Sequence, residues 1–184
     1  MNTIKLIKSD FKKYHNYGSN FFVIIFLTQG FWATFQYRIA NAISRNITLQ
    51  PFRFLCMFPM YLWQKIIEVV TGISIPASVI IGDSFYIAHF GGIVINSKTI
   101  IGNNCNISQG VTIGVSGLDQ NRGVPVIGDN VYIGANSVLA GKITIGNNVL
   151  IGACSLINSS FNDNAVVIGV PGKLISEKGS KGYI

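Results

Sequence analysis

The stretch Ile127-Gly128-Asp129-Asn130-Val131-Tyr132 returns eighteen residues later as Ile145-Gly146-Asn147-Asn148-Val149-Leu150. On both sides of these two copies one apolar residue recurs every six positions. The series runs Ile75, Ile81, Ile87, Ile93, then Ile101, Ile107, Ile113, then Ile127, Ile133, Leu139, Ile145, Ile151 and Ile157. A helix repeats about every 3.6 residues and a strand about every 2, so neither explains a period of six. An antiparallel sandwich spaces its turns by ~8–12 residues and does not keep one side-chain type in step.

Each unit reads apolar, small, polar, polar, small-or-apolar, then any residue. The fifth residue of one unit and the first of the next lie two apart and share one face of a short strand. Val79 with Ile81, Val111 with Ile113 and Val149 with Ile151 are such pairs. Gly at the second position and Asp or Asn at the third and fourth supply a tight or left-handed turn. One unit cannot bury its apolar face alone; stacked units, ~4.8 Å apart, bury a continuous core. The period therefore predicts a mainly β fold, a parallel β-helix of hexapeptide repeats over residues 73–170. A helical, basic and aromatic segment (1–72) precedes it and a tail (171–184) follows.

Charge separates the two parts. The chain carries 14 Lys and Arg against 7 Asp and Glu, a net charge of +7. Residues 1–72 hold eight of those bases against Asp10 and Glu68, so almost all of the excess lies there. A nearly neutral repeat domain without an aromatic-basic motif argues against nucleic acid. Cys56, Cys105 and Cys154 show no close pairing, which points to a reducing, cytoplasmic compartment rather than a disulfide scaffold, and Cys105 falls at a core position. No cleavable leader pattern is evident. The runs Phe21–Leu27 and Phe52–Trp63 fall short of the ~18–20 apolar residues that span a bilayer. Two readings of 1–72 stay open. One is a helical cap on the β-helix or on a neighbouring subunit. The other is a peripheral contact at the inner face of the membrane, with aromatics among headgroups and Lys/Arg on anionic lipid.

The repeat slips twice. From Ile93 to Ile101 is eight residues, which places a two-residue insertion within Asn96-Ser97-Lys98-Thr99. From Ile113 to Ile127 is fourteen, which extrudes a loop over 115–126. A loop ejected from a rigid solenoid is a usual place for function. Just before the first slip lies Tyr86-Ile87-Ala88-His89-Phe90-Gly91-Gly92. The chain has two histidines; His15, in the polar start of the chain, reads as solvated. His89 sits at an outward corner beside two glycines that permit close approach of a ligand or backbone. On these residues alone, catalytic and structural roles are evenly balanced.

The repeat, the segment His89-Phe90-Gly91-Gly92-Ile93-Val94-Ile95 and the stretch Val170-Pro171-Gly172-Lys173 resemble the hexapeptide-repeat acyltransferases. The resemblance is to the branch holding serine acetyltransferases and capsule or exopolysaccharide acetyltransferases, and covers about residues 71–175. It implies a left-handed β-helix, a homotrimer, and acetyl-CoA as acyl donor with no metal. It also implies His89 as the general base on the acceptor hydroxyl, a task suited to an imidazole with its ordinary pKa near ~6.5. By the same resemblance Gly114, Ser116, Ala135, Ala153 and Lys173 match cofactor-binding positions, and the 115–126 loop closes the site against a neighbour. Gln109, one coil beyond His89, is expected beside it.

The chain departs from the serine acetyltransferase pattern at three places. Ala88 stands where an acid precedes the histidine, Ser74 where its acidic partner lies fifteen residues upstream, and Asn121-Arg122-Gly123-Val124-Pro125 where an Arg-His-Pro stretch holds the substrate. Only Arg122 survives. These departures, with Tyr86 and Phe90 as aromatics suited to sugar rings, lead to the expectation of an O-acetyltransferase acting on a saccharide hydroxyl of a capsule, exopolysaccharide or lipid-linked glycan. Tyr86, Phe90, Gln109 and Arg122 would contact that acceptor. Serine O-acetyltransferase and a non-catalytic trimeric scaffold are the alternatives. A zinc carbonic anhydrase on this fold needs three histidines, one more than the chain has, and the chain is too short to hold a preceding nucleotidyltransferase domain.

Overall fold

The computed structural model describes residues 2–184. Four helices come first: α1 (Thr3–Asn16), α2 (Phe21–Leu27), α3 (Gln29–Asn46) and α4 (Gln50–Thr71). Asn2 and Asn20 cap α1 and α2 by accepting from Ile4 N and Val23 N. Gly72, left-handed at φ 67°, ends α4 and turns the chain into the sheet region.

The strands follow coil by coil. The first coil holds β1 (Ile73–Ser74), β2 (Ile80–Ile81) and β3 (Tyr86–Ile87); the second β4 (Ile93–Ile95), β5 (Ile100–Ile101) and β6 (Asn106–Ile107). The third holds β7 (Thr112–Gly114), β8 (Val126–Ile127) and β9 (Tyr132–Ile133); the fourth β10 (Val138–Ala140), β11 (Thr144–Ile145) and β12 (Leu150–Ile151). A last coil carries β13 (Leu156–Ile157) and β14 (Val166–Ile168), and β15 (Lys173–Ser176) folds back antiparallel on β14. All other pairings between these strands are parallel. They make three faces, in the orders β1-β4-β7-β10-β13, β2-β5-β8-β11 and β3-β6-β9-β12-β14. The three-sided parallel β-helix follows from the six-residue period: every sixth residue points inward, and Ile81, Ile101, Ile127 and Ile145 stack in register as one column of the core.

The polar positions hold the corners. Ser84, Asn104, Asn130, Asn148 and Asn164 all take left-handed backbone, with φ of 54°, 57°, 56°, 57° and 63°. Asn tolerates this conformation better than most residues. Their amides also bond along the helix axis, Asn104 Nδ2 to Asn130 Oδ1, Asn130 to Asn148, and Asn148 to Asn164. Each coil thus satisfies polar groups of its neighbour at the same corner.

Two details of the register differ from the sequence reading. Ile81 and Ile87 pair with residues twenty further on, Ile101 and Ile107, but Ile95 pairs with Ile113, eighteen further on. The two extra residues therefore lie between β3 and β4, not in 96–99. The member of the first-position column is Ile95, and Ile93 is its fifth-position neighbour. A six-residue count does not separate the two, because both are isoleucine. The last coil is also short by two residues, since Ile145 bridges to Phe161 and Ile151 pairs with Val167, each sixteen on.

The helices dock on the first coils through buried polar contacts. Arg38 and Asp10 form a two-pronged ion pair, 2.8 and 3.0 Å, with side chains about 1% exposed. Arg38 also donates to the carbonyls of Ile81 and Gly82, and Asp10 accepts from Phe85 N. Tyr14 OH accepts from Ile87 N and donates to Ile87 O. Tyr37 OH donates to Val79 O. The free first coil would otherwise leave these backbone groups without partners under the helices. No helix among the described residues is long and apolar enough to cross a membrane.

Asp10→Ala should cost about 3–5 kcal/mol, because it strands a buried guanidinium and an amide, and urea denaturation reads this directly. Lys13 gives a pH-dependent counterpart. Burial pushes its ammonium down to about 8 from 10.5, while Asn104 Oδ1 accepts from it at 2.7 Å. Below pH 8 the full burial penalty is present. Between pH 8 and 10.5 the unfolded chain keeps the proton that the folded chain has lost, so stability rises with pH. Lys13→Met should accordingly be the more stable chain at pH 7, by at most about 3 kcal/mol. That advantage should shrink toward pH 10.5, and urea midpoints at pH 7 and 10 would show it; a gap independent of pH would contradict it.

Candidate active site

The two extra residues swell one corner. Ala88 to Gly92 join β3 to β4, whereas only Ser108, Gln109 and Gly110 make the equivalent turn one coil on. The longer corner carries His89 and Phe90 outward, and both are exposed. Gly91 and Gly92 make the return possible with φ of 102° and 66°. A Cβ on Gly72 would meet Gly92 N at 3.0 Å and Gly91 Cα at 3.2 Å, so the end of α4 lies directly against this corner. Ile93 N donates to Gly72 O across the same contact.

Below His89 the same corner of successive coils forms a column. Gly110 N donates to Gly91 O, Asn136 N to Gln109 O and Cys154 N to Ala135 O. Gln109, Ala135 and Ala153 therefore follow the His89 corner down one edge of the β1-β4-β7-β10-β13 face. The outward side chains of that face are Ser74, Val94, Thr112, Val138 and Leu156. Gly114 and Ser116 lie at the opposite edge of the same face, about 10 Å away at a strand rise of ~3.3 Å per residue. There Gly141 N donates to Gly114 O.

The loop predicted over 115–126 is a small closed excursion. Ser116 and Gly123 exchange both backbone hydrogen bonds, at 3.1 and 3.0 Å, and a 3₁₀ turn spans Asp119–Asn121. Val115 to Arg122 are exposed throughout. Gly123 sits against Lys142, where a Cβ would come within 2.6 Å of the lysine Cβ. At the end of the face Gly172 N donates to Leu156 O, and exposed Lys173 begins β15.

Tyr86 is placed differently from the acceptor-facing position expected for it. Its ring packs between Tyr14 and Tyr17, with centroids 4.6 and 4.5 Å away, so it helps to dock α1. Phe90 stays exposed beside His89. The tail from Lys178 onward is also part of the fold. Gly179 N and Ser180 N donate to Asn164 O and Asn148 O, and the Ser180 hydroxyl to Asn130 O.

One carboxylate at this corner escaped the sequence reading. Glu68, on the last turn of α4, accepts from the Ser74 hydroxyl at 2.7 Å and from Gln64 and Lys65. Burial pushes its carboxyl up, but the hydrogen bonds from Lys65, Ser74 and Gln64 and the lysine charge outweigh it and hold the group below its ordinary value. An ionised acid thus stands behind Ser74, delivered by the helix. Nothing in the six-residue pattern could have revealed it, because Glu68 precedes the first repeat.

Residues 125–159 match the bacterial transferase hexapeptide (six repeats) family. A serine acetyltransferase of Bacillus subtilis (strain 168) is 33% identical over 162 residues, covering 88% of this chain and 71% of that protein. A serine acetyltransferase of Staphylococcus epidermidis is 39% identical over 111 residues, 60% of this chain and 52% of that one. Among solved structures, Neisseria gonorrhoeae serine acetyltransferase in complex with serine superposes with a TM-score of 0.79 at 28% identity, covering 95% of this chain and 69% of that one. The β-helix is accordingly left-handed, and the chain is an acyltransferase. The saccharide acceptor expected from the sequence is overturned, since these relatives are serine acetyltransferases. That expectation rested on Ala88, Ser74, the 121–125 loop and the aromatics Tyr86 and Phe90; the structure sets the Glu68 carboxylate against one of these positions, Ser74. The chain belongs to the serine acetyltransferase family of hexapeptide-repeat transferases.

Proposed function

We propose that this protein transfers an acetyl group from acetyl-CoA to the hydroxyl of L-serine, with His89 as general base. The observation that carries this reading is the swollen corner. Two residues beyond the regular turn lift an exposed imidazole to the head of one β-helix face, in a chain whose relatives act under that name. The His89 imidazole takes the hydroxyl proton as the serine oxygen attacks the thioester carbonyl. The tetrahedral intermediate then collapses, the C–S bond breaks, and the imidazolium returns the proton to the departing CoA thiolate. The products are O-acetylserine and CoA.

The donor fits along the face that runs from Gln109 past Ala135 and Ala153, where small corners let a pantetheine approach the backbone. Gly114 and Ser116 border its other edge, and Lys173 at its end suits the CoA phosphates. On one chain this face is open to solvent, as expected of a site completed by a neighbour in a cytoplasmic homotrimer, with the 115–126 loop reaching across. Arg122 in that loop is the cation for the serine carboxylate.

Glu68 is a positioning residue in this scheme. Because the Ser74 hydroxyl donates its proton to Glu68, its lone pairs are free to accept the second imidazole N–H of His89 in the reactive rotamer. The carboxylate behind it favours the imidazolium that forms during attack.

His89→Ala should lower kcat about 10²–10⁴-fold with acetyl-CoA and L-serine, with CoA release as the readout; unchanged turnover would sink the assignment. Wild-type protein should release CoA with L-serine and not with free sugars. Glu68→Gln should reduce kcat/KM about tenfold and move the acid limb of its pH profile to lower pH, because the imidazolium loses a stabilising charge. Adding Ser74→Asp should restore both. A Glu68→Gln chain that melts earlier but keeps the wild-type pH profile would mean that Glu68 only braces α4.

A further inference from the structure

The helical segment leaves a large apolar surface without a partner among the described residues. On α4 a stripe of Phe54, Phe58, Leu62, Ile66 and Val69 is 74, 55, 49, 62 and 86% exposed. These positions fall three or four apart, on one side of the helix. On α2 Phe22 and Phe26 are 70 and 62% exposed. An apolar groove of about 410 Å³, lined by Ile25, Phe31, Trp32, Phe35, Trp63 and Ile67, lies between α2, α3 and α4. Monomeric soluble proteins rarely leave contiguous apolar patches beyond a few hundred Å² uncovered.

Charge decides what covers it. Both acids of the segment are occupied: Asp10 is buried on Arg38, and Glu68 is held by Lys65, Ser74 and Gln64. Among the described residues Lys5, Lys8 and Lys12 have no such partner. They are exposed at positions three and four apart along the outer side of α1, whose Phe11 packs on Phe21 at the start of α2 with ring centroids 5.9 Å apart. A second copy seated on this surface would bring its own uncompensated cations against them, whereas an anionic surface would neutralise them.

We propose that α2 and α4 form a docking surface for an anionic lipid bilayer, lying in the interface with their aromatics among the headgroups and the α1 lysines on lipid phosphate. No described helix is suited to crossing, so the contact is peripheral. Aromatic and aliphatic side chains on one side with Lys/Arg nearby are what such a contact needs, and each lysine near the surface adds electrostatic attraction. The inference stands independently of the acceptor.

The test is co-sedimentation of the full chain with vesicles of phosphatidylcholine alone or with one-quarter phosphatidylglycerol. Binding is expected to the anionic vesicles and to fall at least about tenfold between 0.1 and 0.5 M salt. Phe58→Asp with Leu62→Ser, both surface positions, should abolish it, and Lys5→Gln with Lys8→Gln and Lys12→Gln should weaken it about tenfold or more. Acetyl transfer in solution should stay at the wild-type rate in both variants, showing that they are folded. Absence of binding to anionic vesicles would overturn the proposal. So would a sedimentation experiment in which Phe58→Asp splits the native oligomer, since a second copy would then be the occupant.

Discussion

Every coil of this protein depends on the coil beside it. A six-residue unit offers two inward side chains and a two- or three-residue strand, far too little to bury or to hydrogen-bond alone. The fold exists because Ile87 lies under Ile107, Ile107 under Ile133 and Ile133 under Ile151, with backbone pairs closing each step. At about 1.5–3 kcal/mol for each fully buried isoleucine, the column outweighs any local preference of strands this short. That requirement of register also makes the scaffold intolerant of insertion except at corners, where extra residues can leave the stack without disturbing it.

The site and the helical segment both follow from this. Corner insertions yield the exposed His89 and the Ser116–Gly123 excursion. The first coil, having no coil before it, offers the carbonyls of Val79, Ile81 and Gly82 to the helices, and Tyr37 and Arg38 occupy them. Docking in that manner brings the end of α4 against Gly91 and Gly92, and with it Glu68 behind Ser74. The N-terminal segment is therefore a cap on the solenoid that also abuts the His89 corner.

Several features were legible because they repeat. The extent of the core, the asparagine corners, the burial of Cys105 and the exposed position of His89 are all consequences of a six-residue phase. The place of the two-residue insertion was not, since Ile93 and Ile95 are the same residue type and only pairing with Ile113 tells them apart. Tyr86 reads as an acceptor-facing aromatic, yet Tyr14 of α1 and its C-cap Tyr17, some seventy residues earlier, take its ring. The acceptor was not legible from positions 74 and 88; the serine acetyltransferase relatives correct it.

The β-helix, its isoleucine core, the outward histidine and the concentration of positive charge before residue 73 can all be read from the residues in order. These are properties of spacing and composition, and a strict period transmits them through the chain without reference to distant partners. It takes the packed fold to show that the histidine's own corner is the expanded one, that Tyr86 serves α1, that Glu68 stands behind Ser74, and that α2 and α4 leave an aromatic surface bare. Each of those depends on how helices without any repeat seat on the first coil, and that seating is fixed by side chains far apart in sequence, such as Asp10, Arg38 and Phe85, meeting in one buried place.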